Sequence, residues 1–202
     1  MAITFLEKSN QSIRPAPKVY TLWEYLAREE RAKEKHEFYN GIIVKMANAK
    51  FYHNLIASNI LHFMRLSIKN TQKKYLILGD NQKVYIEAEN VAVYPDALVI
   101  SEKPIFYQNR EDILLNPVVI VEVLSRRTSL YDKTAKFDLY KSIPSFKEYV
   151  LIDPKKMSVE TRYREEIDLW RITSHNADSQ KFNLKSLGIT LEMNDIYENV
   201  VF

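Results

Sequence analysis

Two carboxylates and the lysines that follow them are the side chains in this sequence whose types and spacing could do chemistry together. Glu122 stands inside Pro117-Val118-Val119-Ile120-Val121-Glu122-Val123-Leu124, an apolar run rich in β-branched residues that reads as a strand buried on both faces. Burying an ionised carboxylate costs on the order of several kcal/mol unless it is paired or holds a cation. Glu122 therefore belongs either to the strand's exposed end, paired with Arg126 or Arg127, or to a site. Asp96 follows Tyr94-Pro95, and because proline has no amide to donate, that pair belongs at a strand's start or edge. Asp96 then marks the entry of a strand over Ala97-Leu98-Val99-Ile100. Two carboxylates on neighbouring strands can share a divalent cation with hard oxygen ligands, Mg²⁺ or Mn²⁺, and a nearby lysine would stabilise the charge of a phosphoryl transition state. Lys133 and Lys136 are the candidates for that lysine.

The elements that must position these groups can be read in order. Pro15 and Pro17 make the first 19 residues an irregular arm. Thr21 and Glu24 form a capping box for a helix running to about Lys35. His36 to Tyr39 and Ile42 to Met46 flank Asn40-Gly41, a pair suited to a type I′ hairpin turn. From Tyr52 to Lys69 the apolar residues recur at helical spacing, with His53 opening the helix and one face turned to a sheet. Strands follow at Tyr75 to Leu78, Val84 to Ile86 and Ala97 to Ile100, with a polar loop over residues 102–116 before the Glu122 strand. A helix from Ser129 to about Lys141 must end near Pro144, and Lys147 to Ile152 is another strand. Shorter strands near 159–163, 168–172 and 189–191 extend the sheet.

Composition narrows the possible functions. The chain has 202 residues, 46% of them hydrophobic, enough for one buried core, so residues 20–202 read as a single domain. With no cysteine there are no disulfides and no thiolate nucleophiles or zinc ligands, which fits a reducing compartment, the cytoplasm. No apolar run reaches the roughly 20 residues a membrane span needs, and no membrane partner is expected. Only Gly41, Gly79 and Gly188 are glycine, so a glycine-rich phosphate cradle cannot be written. The net charge of +3 permits nucleic acid without arguing for it.

Several of these residues fall into a known pattern. Tyr94-Pro95-Asp96, Ile120-Val121-Glu122-Val123-Leu124-Ser125, Tyr131-Asp132-Lys133 through Lys136 to Tyr140, and Ile143-Pro144-Ser145-Phe146-Lys147-Glu148-Tyr149 resemble the Uma-type restriction endonucleases. The series Glu37, Gly41, Met46, His53 is similar to the amino-terminal pattern of the same family, which lies within the PD-(D/E)xK phosphodiesterase superfamily. The resemblance implies an α/β fold with a restriction-endonuclease-like core: a mixed central sheet flanked by helices, plus an added amino-terminal helix and hairpin. It also implies metal-dependent cleavage of nucleic acid, DNA first, and leaves a homodimer open. Asp96 and Glu122 would be ligands of Mg²⁺ or Mn²⁺, Lys136 the cationic partner and Glu37 a further acid, with Asp132, His53 and Tyr140 as accessory residues. In one place the chain departs from the superfamily pattern, which has a lysine two residues after the second acid. Leu124 stands there, so the resemblance hands that role to Lys136.

Each residue also has an ordinary use. Asp after proline serves turns, Lys136 alone would be a solvated helix residue, Asp132 favours a helix start, Tyr140 belongs in a core, and Glu37 in a hairpin faces water. A binding module without activity keeps the same fold, and a metal-free glycosidase would need a sugar-sized cleft lined by aromatics.

Overall fold

Thr21 and Glu24 start the first helix as a reciprocal cap: the Glu24 amide donates to Thr21 Oγ1, and Thr21 N donates to the Glu24 carboxylate at 2.7 Å. The structure, a computed structural model, describes residues 18–69, 71–126 and 128–202, so the expected arm lies almost wholly outside it. Helix α1 (Leu22–Glu29) buries Leu22, Tyr25 and Leu26 and stops well short of Lys35. The reason is compositional: residues 30–35 hold one alanine among charged side chains, and a helix without an apolar stripe has nothing to pack.

The hairpin forms as expected from β1 (His36–Tyr39) and β2 (Ile42–Lys45), with φ of 43° at Asn40 and 97° at Gly41 supplying the two positive values of a type I′ turn. It belongs to a five-stranded sheet, in the order β2-β1-β5-β4-β7, with β4 (Lys83–Ile86), β5 (Val91–Val93) and β7 (Ile113–Leu114). The stretch 102–116 is thus more than a loop. Ile113 and Leu114 are fully buried and run parallel to β4, a pairing too short for sequence periodicity to mark.

A second, six-stranded sheet carries the carboxylates. Its order is β11-β10-β9-β8-β6-β3, built from β3 (Tyr75–Gly79), β6 (Ala97–Ser101), β8 (Val119–Val123), β9 (Glu148–Ile152), β10 (Val159–Arg164) and β11 (Trp170–His175). It is mixed: β8 and β9 are parallel and the other neighbours antiparallel. Strands β3 and β4 are consecutive in the chain yet lie in different sheets. The β8 to β9 crossover holds two helices where one was expected, α3 (Ser129–Lys133) and α4 (Ala135–Lys141). The break falls at Thr134, whose Oγ1 donates to Leu130 O at 2.6 Å and whose backbone leaves the helical region.

Helix α2 (Phe51–Ile68) lies on one face of this sheet, and the pleat of β8 explains both faces at once. Val119, Val121 and Val123 pack with Ile56, Ile60 and Met64 of α2, whereas Ile120 and Leu124 pack with Phe137 and Tyr140 of α4. Glu122 shares the second face. Strands β12 (Lys181–Leu184) and β13 (Ile189–Glu192) do not extend the central sheet as β10 and β11 do. They pair with each other, bury Phe182, Leu184, Ile189 and Leu191 in the α2-side core, and lead into α5 (Met193–Ile196).

Candidate active site

Strand register brings the two acids together. In the antiparallel β6 and β8 ladder Ala97 pairs with Val121, so one further step sets Asp96 opposite Glu122. Asp96 takes up the next ladder position with its side chain, Oδ2 accepting from Val123 N at 2.7 Å. His53, in the first turn of α2, places Nε2 3.3 Å from the same Oδ2. Burial works against a charged imidazole there, but the hydrogen bond and charge of Asp96 outweigh it and raise the His53 pKa. Its Nδ1 is buried without a hydrogen-bond partner among the described residues.

Glu122 is a buried carboxylate, 5% exposed, and not a frayed strand end. Arg126 is exposed and Arg127 lies outside the described residues. The partner is Lys136, whose Nζ lies 2.7 Å from Glu122 Oε1, 3.6 Å from Glu37 Oε1 and 4.0 Å from Asp132 Oδ1. Tyr140, one turn further along α4, donates its hydroxyl to the same Glu122 Oε1 at 2.9 Å. Burial pushes the Glu122 carboxyl up to about 8; Lys136 opposes the rise, while the charges of Asp96 and Asp132 add to it. For Lys136 burial disfavours the charge, yet Glu122, Tyr140 and Glu37 hold the ammonium well above the usual lysine value. Lys133, the other candidate, is exposed.

Glu37 faces inward despite sitting in a hairpin, its side chain 13% exposed. Oε2 accepts from Tyr39 OH at 2.7 Å, and the Tyr94 amide approaches Oε1 at 3.5 Å. Asp132 is buried, with its carboxyl raised mainly by desolvation, and its backbone carbonyl accepts from Tyr149 OH at 3.1 Å. Asp96, Glu122, Lys136, Glu37, Asp132, His53 and Tyr140 are thus brought together, and Lys133 is left outside the group. Two neighbours were missed: Tyr39, two residues after Glu37 on the same strand face, and Tyr131, which packs edge-on against Tyr39 with a buried hydroxyl that has no hydrogen-bond partner among the described residues. Strand alternation from Glu37 was the signal that could have found Tyr39. Leu124 sits in the apolar cluster with Phe137 and Tyr140, where a lysine would be stranded away from water.

Among the described residues no three His, Cys, Asp or Glu side chains converge closely enough to hold a metal ion unaided. Mg²⁺ asks for less, since it keeps several waters and takes one or two carboxylates. Asp96 and Glu122 are such a pair, each with one oxygen held by protein donors, and Glu37 and Asp132 join Glu122 to set three carboxylates around Lys136. That surplus of negative charge and hard oxygen suits a hard divalent cation.

Comparison with known proteins agrees with this arrangement of elements. The model of the Uma2 family, described as "Putative restriction endonuclease", matches residues 22–194. The chain belongs to the Uma2 family. Two Synechocystis relatives, "Uncharacterized protein sll1609" and "Uncharacterized protein slr1290", are 40% identical over 136 residues and 30% identical over 185 residues. These alignments cover 67% and 89% of this chain and 76% and 92% of the relatives. The fold is similar to a crystal structure described as "a putative nuclease belonging to DUF820" from Anabaena variabilis, with a TM-score of 0.69 at 18% identity, over 90% of this chain and 99% of that one. The Uma2 chain is thus a mixed α/β protein with a restriction-endonuclease-like fold, its hairpin drawn into a second sheet. No helix among its described residues is long and apolar enough to cross a membrane.

Proposed function

We propose that this protein is a metal-dependent endonuclease that hydrolyses phosphodiester bonds of nucleic acid, DNA in the first instance, through residues 20–202 acting as one unit. The observation that carries the reading is the buried Lys136 at 2.7 Å from Glu122, next to Asp96 on the neighbouring strand. Asp96 and Glu122 would hold Mg²⁺ or Mn²⁺. When bound, such a cation supplies positive charge to a phosphate and makes water more acidic.

The chain's own residues do the rest. The Val123 amide and His53 fix one oxygen of Asp96, so the carboxylate does not have to be ordered when substrate arrives. Lys136 supplies a permanent positive charge beside the carboxylate pair, where it offsets the negative charge that builds on the phosphate. Glu37 and Asp132 keep that ammonium protonated and in place, and Tyr39 orients Glu37 in turn. The low exposure of the group limits water, which strengthens each of these interactions.

Purified protein incubated with DNA and Mg²⁺ or Mn²⁺ tests the reading, with Asp96→Ala alongside. Cleavage that needs the metal and disappears in the variant is expected; cleavage that survives the substitution sinks the mechanism. The absence of a three-side-chain metal cluster among the described residues favours a second reading, a nucleic-acid or protein-binding module without activity. That reading expects calorimetry to find no divalent-ion binding.

A further inference from the structure

Glu122 is held from one side only. Lys136 Nζ and Tyr140 OH both reach Oε1, at 2.7 and 2.9 Å. They can do so because positions four apart on α4 lie one above the other on a single face. The Tyr140 ring is fully buried between Phe146 and Tyr149, with ring centroids 5.7 and 5.6 Å away, so its hydroxyl cannot swing off to another partner. Both of these donors stand on Oε1. A carboxylate with both donors on one oxygen has a fixed plane and a chosen free oxygen.

We infer that Tyr140 is a positioning residue that selects which oxygen of Glu122 is offered to a divalent cation. Lys136 alone could not do this, since an ammonium has three donors and this one stands within 4.0 Å of three carboxylates, so it is not committed to one oxygen of Glu122. The phenol is rigid and points at one atom. It orders the carboxylate before the cation arrives and keeps Lys136 and the cation on different oxygens of the same group. The inference rests on the metal reading of the site and adds a residue outside the proposed ligands.

The test is Mn²⁺ binding by calorimetry, without substrate, to the wild type, Tyr140→Phe and Tyr149→Phe. Tyr140→Phe deletes one hydroxyl and keeps the packed ring. Tyr149→Phe deletes a hydroxyl from the same aromatic cluster that bonds the Asp132 backbone instead of Glu122. Groups that orient metal ligands typically contribute about 10 to 100-fold in affinity. Tyr140→Phe should weaken Mn²⁺ at least about tenfold, with Tyr149→Phe near wild type. Titrations run below the melting temperature of the weakest variant, so that lost fold is not read as lost affinity. Equal affinity in wild type and Tyr140→Phe overturns the inference while leaving the metal reading intact. Equal losses in both tyrosine variants overturn it as well, because the effect is then one of packing. A wild type that binds no Mn²⁺ overturns the metal reading and the inference together.

Discussion

Lys136 and Glu122 form an ion pair at 2.7 Å with both side chains 7% exposed, and neither group has water to fall back on if the other is removed. Pairs of this kind contribute less to stability than they appear to, because desolvation offsets most of the attraction, but removing one partner strands a charge.

Replacing Lys136 with Met should therefore cost about 3 kcal/mol of stability at pH 9 and clearly less at pH 6. The sign follows from Glu122, whose carboxyl is already pushed up to about 8 by burial and climbs further without its cation. A carboxyl with a raised folded pKa binds its proton more tightly in the folded state, so stability falls as pH rises from its unfolded value through its folded one. At pH 6 the stranded group is neutral, and at pH 9 it is forced toward the ionised form. Urea unfolding at the two pH values checks this, and a penalty independent of pH refutes it.

Cation binding should show the same proton from the other side. A Glu122 carboxyl near 8 must lose its proton to act as a ligand. Mn²⁺ affinity is expected to rise by up to about tenfold per pH unit from pH 6 and to level off above about pH 8. At pH 7, calorimetry in buffers of different ionisation enthalpy should find about one proton released per cation bound. Flat affinity across this window would mean that Glu122 is not a ligand.

Gly41→Ala probes the hairpin that delivers Glu37. Gly41 has a φ of +97°, and an added Cβ would meet Val19 Cγ1 at 2.5 Å and Tyr20 O at 3.4 Å. Left-handed strain and the clash together should lower stability by about 2 kcal/mol. The turn also sets the β1 and β2 register, so Lys136 would lose part of its contact with Glu37. Thermal unfolding measures the first effect, and a variant as stable as wild type would show that the turn relaxes freely.

The juxtaposition of Asp96 and Glu122 was legible from the sequence because both sit on local signals: Pro95 fixes a strand start beside Asp96, and Glu122 is conspicuous among β-branched residues. Pairing across sheets was not legible. Nothing in Tyr75 to Ile86 says that the chain leaves one sheet for another at Gly79, because that choice depends on which strands arrive later. Glu37 shows the same limit: hairpin chemistry predicts Asn40-Gly41 well, yet the inward turn of Glu37 depends on Lys136, a hundred residues on, and entered the sequence reading only through family resemblance.

A buried acid on the other face of the sheet from Glu122 gives the last prediction. Glu148 is fully buried at the start of β9, and its carboxylate accepts from Lys185 N at 3.0 Å, Ser186 N at 2.9 Å and Ser186 Oγ at 2.6 Å. Burial raises its pKa, with the Ser186 and Lys185 bonds opposing, and three donors from one turn tie the β12 and β13 connection to the central sheet. Glu148→Ala removes the acceptor for two backbone amides that cannot reorient, which should cost about 3 kcal/mol. Because no group of the Asp96 and Glu122 cluster touches Glu148, Mn²⁺ affinity of the folded variant should match wild type. Loss of stability with unchanged affinity would separate the acid that holds the fold from those proposed to hold the cation, and a fall in affinity comparable to that of Asp96→Ala would show the two coupled through β9.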